Sequence, residues 1–172
     1  MRQNRIFAVC AASAFALAMF CGSALAQQKT VKDQLVGTWL LVGVTAERAD
    51  GSKGEPFGAN PKGIIIFTAD GHFSLLQQRA ELPKIAANDR AKATPEEARA
   101  VVDGSIAYYG TYTVNEKTIM VKLVAGTYTN IVGGSEQKRI VTALSADELK
   151  FTNPRTPAGV TLLTDWKRAP AH

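Results

Sequence analysis

Apolar residues in this chain recur mostly in short, β-branched runs of the kind that form strands. The first run, Leu35 to Thr45, holds Gly37-Thr38-Trp39. A polar stretch, Gln27 to Gln34, precedes it and ends in a short helical turn leading to Leu35. Ala49 to Pro61 is a loop, broken by Gly51, Gly54, Pro56, Gly58 and Pro61. Ile64 to Thr68 is a second strand. Asp70-Gly71 is a strong hairpin signal, because glycine tolerates the positive φ of a tight primed turn. His72 to Arg79 returns as a third strand. Four more follow at Ala107–Val114, Thr118–Ala125, Gln137–Leu144 and Glu148–Thr152, with short turns or Gly-containing loops between them. Pro154 and Pro157 mark a loop before the last strand, Val160 to Arg168. About eight strands joined mostly by short turns predict an all-β, up-and-down antiparallel barrel.

Between the third and fourth strands the pattern changes. Ala80 to Ala93 is rich in Ala and charge, and Thr94-Pro95-Glu96-Glu97 is a strong helix start. Thr94 suits the cap, Pro95 the first helical position, and Glu97 the reciprocal position of a capping box. Ala98, Val101 and Val102 form an apolar stripe, and Gly104 is the stop. The stripe needs a surface to cover, so Ala80 to Gly104 is expected to be a partly helical lid over the barrel mouth.

The N-terminus reads as a secretory signal peptide spanning residues 1–26. Arg2 and Arg5 supply a positive start, Ile6 to Phe20 is uncharged and apolar, and Ala24-Leu25-Ala26 is a small-residue cleavage site. Cys21 invites a lipoprotein reading, but the bulky Phe20 before it argues against that processing. Cleavage leaves 172 − 26 = 146 residues, a single domain over 27–172 that is exported to the periplasm or secreted, with no membrane span. Both cysteines, Cys10 and Cys21, leave with the signal, so the mature domain has no disulfide or thiol chemistry. Losing Arg2 and Arg5 lowers the formal charge from +5 to +3. The remaining basic residues are interleaved with acids, so no nucleic-acid partner is expected.

At this point the chain resembles a known family. Gly37-Thr38-Trp39 is similar to the first-strand signature of lipocalins. More of it resembles the bacterial and fungal lipocalin-like domain family. The matching pieces are Pro56-Phe57-Gly58, Pro61-Lys62-Gly63, Asp70-Gly71, Arg79, Thr94-Pro95-Glu96-Glu97, Tyr108-Tyr109-Gly110, Tyr112, Gln137 and Arg139. The resemblance implies a barrel whose floor is closed by Trp39, with Gly37 giving a bend and Arg168 stacking on the indole. It implies little about function. Members often carry a His in the fifth strand where this chain has Lys122, which puts in doubt any chemistry needing that His.

Strand alternation nominates candidate ligand-binding residues. In the fourth strand, Tyr108, Gly110, Tyr112 and Val114 share the less polar face, which is expected to point inward. In the third, Phe73, Leu75, Gln77 and Arg79 form one set. In the sixth, Gln137, Arg139, Val141 and Ala143 oppose Lys138, Ile140, Thr142 and Leu144; alternation leaves the choice open, and the resemblance favours Arg139 inward. Arg79, Tyr108, Tyr112, Gln137 and Arg139 are therefore the candidate site. An inward guanidinium needs an anion, from a guest or from an internal acid such as Asp165. The competing reading leaves Arg79 at a strand end in solvent and pairs Arg139 with Asp165.

Other chemistry finds little support. His72 and His172 have no second His or Cys at ligand spacing, so neither a metal nor another cofactor is expected. Glu96 and Glu97 are explained by capping, and no Ser sits in a nucleophile elbow. Three functions stay open. The first is a module binding a small hydrophobic or amphipathic, possibly acidic, molecule in the lumen. The second is a cofactor-free isomerase, cyclase or hydratase in which Tyr108, Tyr112 or Arg139 polarises a carbonyl. The third is an envelope protein with a solid core.

Overall fold

The computed structural model describes residues 29–170 except position 155; the signal-peptide expectation for residues 1–26 lies outside them. A short helix, α1 (Val31–Leu35), opens the domain behind a capping box of Thr30 and Asp33. Nine strands follow: β1 (Gly37–Glu47), β2 (Lys53–Gly54), β3 (Lys62–Phe67), β4 (His72–Gln78), β5 (Ser105–Asn115), β6 (Thr118–Gly126), β7 (Gln137–Leu144), β8 (Glu148–Asn153) and β9 (Thr161–Arg168). Apart from β2, each strand pairs antiparallel with its neighbours in sequence, and β9 returns to pair with β1. The result is a closed eight-stranded barrel, and closure removes the free edges an open sheet would expose.

β2 is an additional two-residue strand within the loop after β1, pairing Ala46 with Gly54 and Glu47 with Lys53. Helix α2 (Pro95–Gly104) lies between β4 and β5, with both hydrogen bonds of the Thr94/Glu97 capping box formed. The first strand begins two residues later than its apolar run suggests. Leu35 closes α1 instead, and its fully buried side chain joins the core.

Side chains alternate strictly enough to sort the barrel wall. Along β4, Phe73, Leu75 and Gln77 are buried between more exposed neighbours, and along β6 the same holds for Ile119, Val121 and Leu123. Tyr112 points in while Tyr109 is exposed. Lys122 lies on the exposed outer face.

The core is packed at one end of the barrel. Phe67 meets Tyr112 edge-on at 5.0 Å between centroids, and Phe151 stacks on Trp166 at 6.1 Å. Trp39 lies fully buried there, its Nε1–H donating to the Leu35 carbonyl at 2.8 Å. The Arg168 guanidinium carbon stands 3.8 Å from the indole centroid. Its nitrogens donate to the carbonyls of Ala146, Val36 and Gln34 at 2.7, 2.9 and 2.7 Å. Gly37 adopts φ +124°, and a Cβ there would sit 2.8 Å from Arg168 Nη1. Glycine at this position therefore serves both the backbone and the close approach of the arginine.

Candidate functional site

At the opposite end the barrel is hollow. A cavity of about 710 Å³ opens where β4 and β8 finish and β5, β7 and β9 begin. Phe57, Ile106, Tyr108, Ile131, Val160 and Leu162 supply its apolar wall. Gln77, Gln137, Arg139 and Asn153 supply its polar side. The alternation of β7 accounts for this: Arg139 and Val141 are buried, while Ile140 between them is 42% exposed. Arg139 thus faces inward.

Arg139 is only 5% exposed, yet its partners are all neutral. Nη1 donates to the Lys138 carbonyl at 3.0 Å and to Asn153 Oδ1 at 2.9 Å, and Nη2 donates to Gln137 Oε1 at 2.9 Å. The Asp165 partner considered from the sequence is not there. Asp165 points outward, with its carboxylate 3.9 Å from Lys150 Nζ. β9 alternation explains the difference, because Thr164 and Trp166 take the inward positions.

The remaining candidates separate by depth. Tyr108 lines the cavity, with its ring 6.1 Å from Phe73 in an edge-on arrangement. Tyr112 points inward but sits deeper, in the packed end, where its hydroxyl donates to the Thr68 carbonyl at 2.8 Å. Burial, aided by the nearby Asp70 charge, pushes its phenol pKa up. Tyr112 does not line the cavity. Arg79 does not either: β4 ends at Gln78, and Arg79 lies just past it, exposed, with its backbone N–H on the Gly104 carbonyl at 2.9 Å. On the polar side of the cavity, Gln77 and Asn153 are not among the candidates the sequence nominates. Gln77 belonged to the correct alternating set, whereas Asn153 was read as loop although it ends β8.

No residue of 80–104 lines the cavity, contrary to the expected lid. Val102 is 74% exposed and Ala98 is exposed as well; of the apolar stripe only Val101 is half-buried. The reason is local. α2 runs into β5 without an intervening loop, so the strand fixes where the helix ends. The segment is tied to itself instead, with Glu97 accepting the backbone N–H groups of Ala86 and Thr94, each at 2.9 Å. Among the described residues there is no cluster of three or more potential metal-ligating side chains, and no helix is long and apolar enough to cross a membrane.

Comparison with solved structures finds several barrels. A lipocalin-like protein from Bacteroides uniformis aligns at 17% identity over 79% of this chain and 99% of its own, with a TM-score of 0.43. A protein from Bacteroides eggerthii aligns at 14% identity over 78% of this chain and 99% of its own, with a TM-score of 0.42. A redesigned β-barrel bound to DFHBI aligns at 19% identity over 81% of this chain and all of its own, with a TM-score of 0.42. Comparison with curated proteins returns no match. The family model for the lipocalin-like domain matches residues 36–163, from the start of the barrel into its last strand, and the chain belongs to that family.

Proposed function

We propose that this protein is exported and carries a small, mainly apolar molecule in the open end of its barrel. The observation that carries this reading is the cavity itself. Aromatic and aliphatic walls surround a few convergent polar groups, which is the usual composition of a small-molecule site. A solid-core role fits poorly with a barrel filled at only one end. A carbonyl-polarising enzyme would lack Tyr112, whose hydroxyl is occupied in the packed end.

Native mass spectrometry of protein purified from its own host tests the reading, with a retained organic molecule as the expected result. Protein that emerges empty and takes up no apolar probe would refute it. Export rests on the sequence of residues 1–26. N-terminal sequencing of the exported form should begin at Gln27; a chain that keeps residues 1–26 and stays inside the cell would refute export.

A further inference from the structure

We infer that the guest is a monocarboxylate with an apolar body, and that Arg139 is the group that recognises its acid end. This rests on the cavity being a small-molecule site. Arginine side chains stay charged even when buried, so an inward guanidinium calls for a counter-charge. Here none is supplied. Among the described residues no carboxylate lies within ion-pair distance of Arg139, and its side-chain partners are the amides of Gln137 and Asn153.

The hydrogen-bonding capacity left over has a definite character. A guanidinium carries five N–H donors. Two on Nη1 and one on Nη2 are used, by Lys138, Asn153 and Gln137. Nε–H and the second Nη2–H have no acceptor among the described residues. Because Gln137 and Asn153 turn their oxygens toward the guanidinium, their NH₂ groups point elsewhere; that of Gln137 reaches the Ile131 carbonyl at 3.4 Å. The cavity-facing remainder is therefore rich in donors. Such a site suits an oxyanion and disfavours a cation or a hydroxyl that must itself donate.

The count of charges narrows the class. Glu136 and Lys138, also at the cavity, are exposed at its rim, so Arg139 is the single buried cation among the described lining residues. One guanidinium held by neutral groups matches one negative charge. A carboxylate, with two oxygens for two unclaimed N–H groups, fits better than a dianionic phosphate. Phe57, Ile131, Val160 and Leu162 would then cover the apolar body.

The neutral partners also predict an unusual variant. If Arg139 is kept for recognition, the empty protein carries an uncompensated buried charge, and Arg139→Met should melt at or above the wild-type temperature. If Arg139 is there to tie β7 to β8, the same variant should melt lower. Binding of 2-naphthoic acid, its methyl ester and 2-naphthylmethanol is measured by calorimetry on the mature wild type, Arg139→Met and Arg139→Lys. The acid should bind the wild type about ten- to a hundredfold more tightly than the ester, the scale of a hydrogen bond to a charged group. Arg139→Met should weaken the acid alone and equalise the set, and Arg139→Lys should keep part of the preference. Equal binding of acid and ester to the wild type would overturn the carboxylate assignment while leaving the cavity reading intact. Binding of none of the three would overturn both. Failure of Arg139→Met to fold, or a lower melting temperature, would overturn the recognition role in favour of a structural one; the wild-type comparison needs no variant.

Discussion

Trp39→Ala removes the largest fully buried side chain at the packed end of the barrel. A buried tryptophan covers roughly 150–250 Å², which at about 25 cal/mol per Å² corresponds to roughly 4–6 kcal/mol before relaxation. Measured large-to-small core substitutions of this kind cost about 3–5 kcal/mol. The Arg168 guanidinium would also lose the ring 3.8 Å from it, a contact worth about 0.5–2 kcal/mol. The Leu35 carbonyl would lose its indole donor. A total near 4–5 kcal/mol is expected, against about 5–15 kcal/mol for a whole domain.

Urea unfolding reads this directly. The chain has two tryptophans, so in Trp39→Ala the buried Trp166 remains as the fluorescent reporter. With a slope of about 2 kcal/mol per M, the midpoint should fall by about 2 M. Trp39→Phe keeps most of the volume but loses the hydrogen bond to Leu35, and should cost about 1–2 kcal/mol. Combining Trp39→Phe with Arg168→Met should be less than additive, because the two side chains touch. A midpoint for Trp39→Ala within about 0.5 M of wild type would refute the argument that this ring closes the barrel end.

Gly37→Ala should destabilise by about 1–3 kcal/mol in the same assay, since φ is +124° and the new Cβ would press on Arg168. Tyr112→Phe should cost about 1 kcal/mol through the lost bond to the Thr68 carbonyl. Because the folded state raises the Tyr112 pKa, wild-type stability is full below the ordinary tyrosine value of about 10 and falls as pH rises through the folded value; Tyr112→Phe should flatten that loss in alkaline melts. The Glu97 carboxylate is held below its ordinary range by the N–H groups of Ala86 and Thr94, so its stabilising effect is present above the ordinary glutamate value and lost as pH falls through the folded one. Glu97→Gln should speed amide exchange at Ala86 and Thr94 yet leave naphthyl-probe binding unchanged, because this segment does not line the cavity.

Much of the barrel is legible in the sequence because a strand writes its two faces with a period of two. That period points Tyr112 inward and Tyr109 outward and groups Gln77 with Phe73 and Leu75, which are buried together. It does not give height along the barrel axis. Tyr108 and Tyr112 share a face four residues apart, yet one borders the cavity and the other is locked in the packed end. The same period fails once a strand stops. Extrapolated inward from Leu75 and Gln77, Arg79 lies one residue past the end of β4 and turns outward. β2 escaped notice because two residues inside a glycine-rich loop carry no pattern at all. The lid was mistaken for a different reason. An apolar stripe shows which side of a helix could be covered, whereas the direct join of α2 to β5 decides where the helix can go.

The two inward-associated arginines show how the barrel divides its work. Arg168 donates to three backbone carbonyls and lies over an indole, and those carbonyls come from α1, the residue after it and the turn before β8. Each partner is fixed by the fold, so this guanidinium joins the end of α1 and the turn before β8 to β9. Arg139 is more deeply buried, but its side-chain partners are two amides that turn their oxygens toward it. Its charge is oriented without being neutralised. A buried charge left in that state costs stability, which is the ground for the recognition role proposed for it. At the packed end Trp39, Tyr112 and Arg168 all donate to backbone carbonyls that hold the barrel closed. The open end keeps donors in reserve, and the apolar wall around them sets the size and polarity of what can reach them.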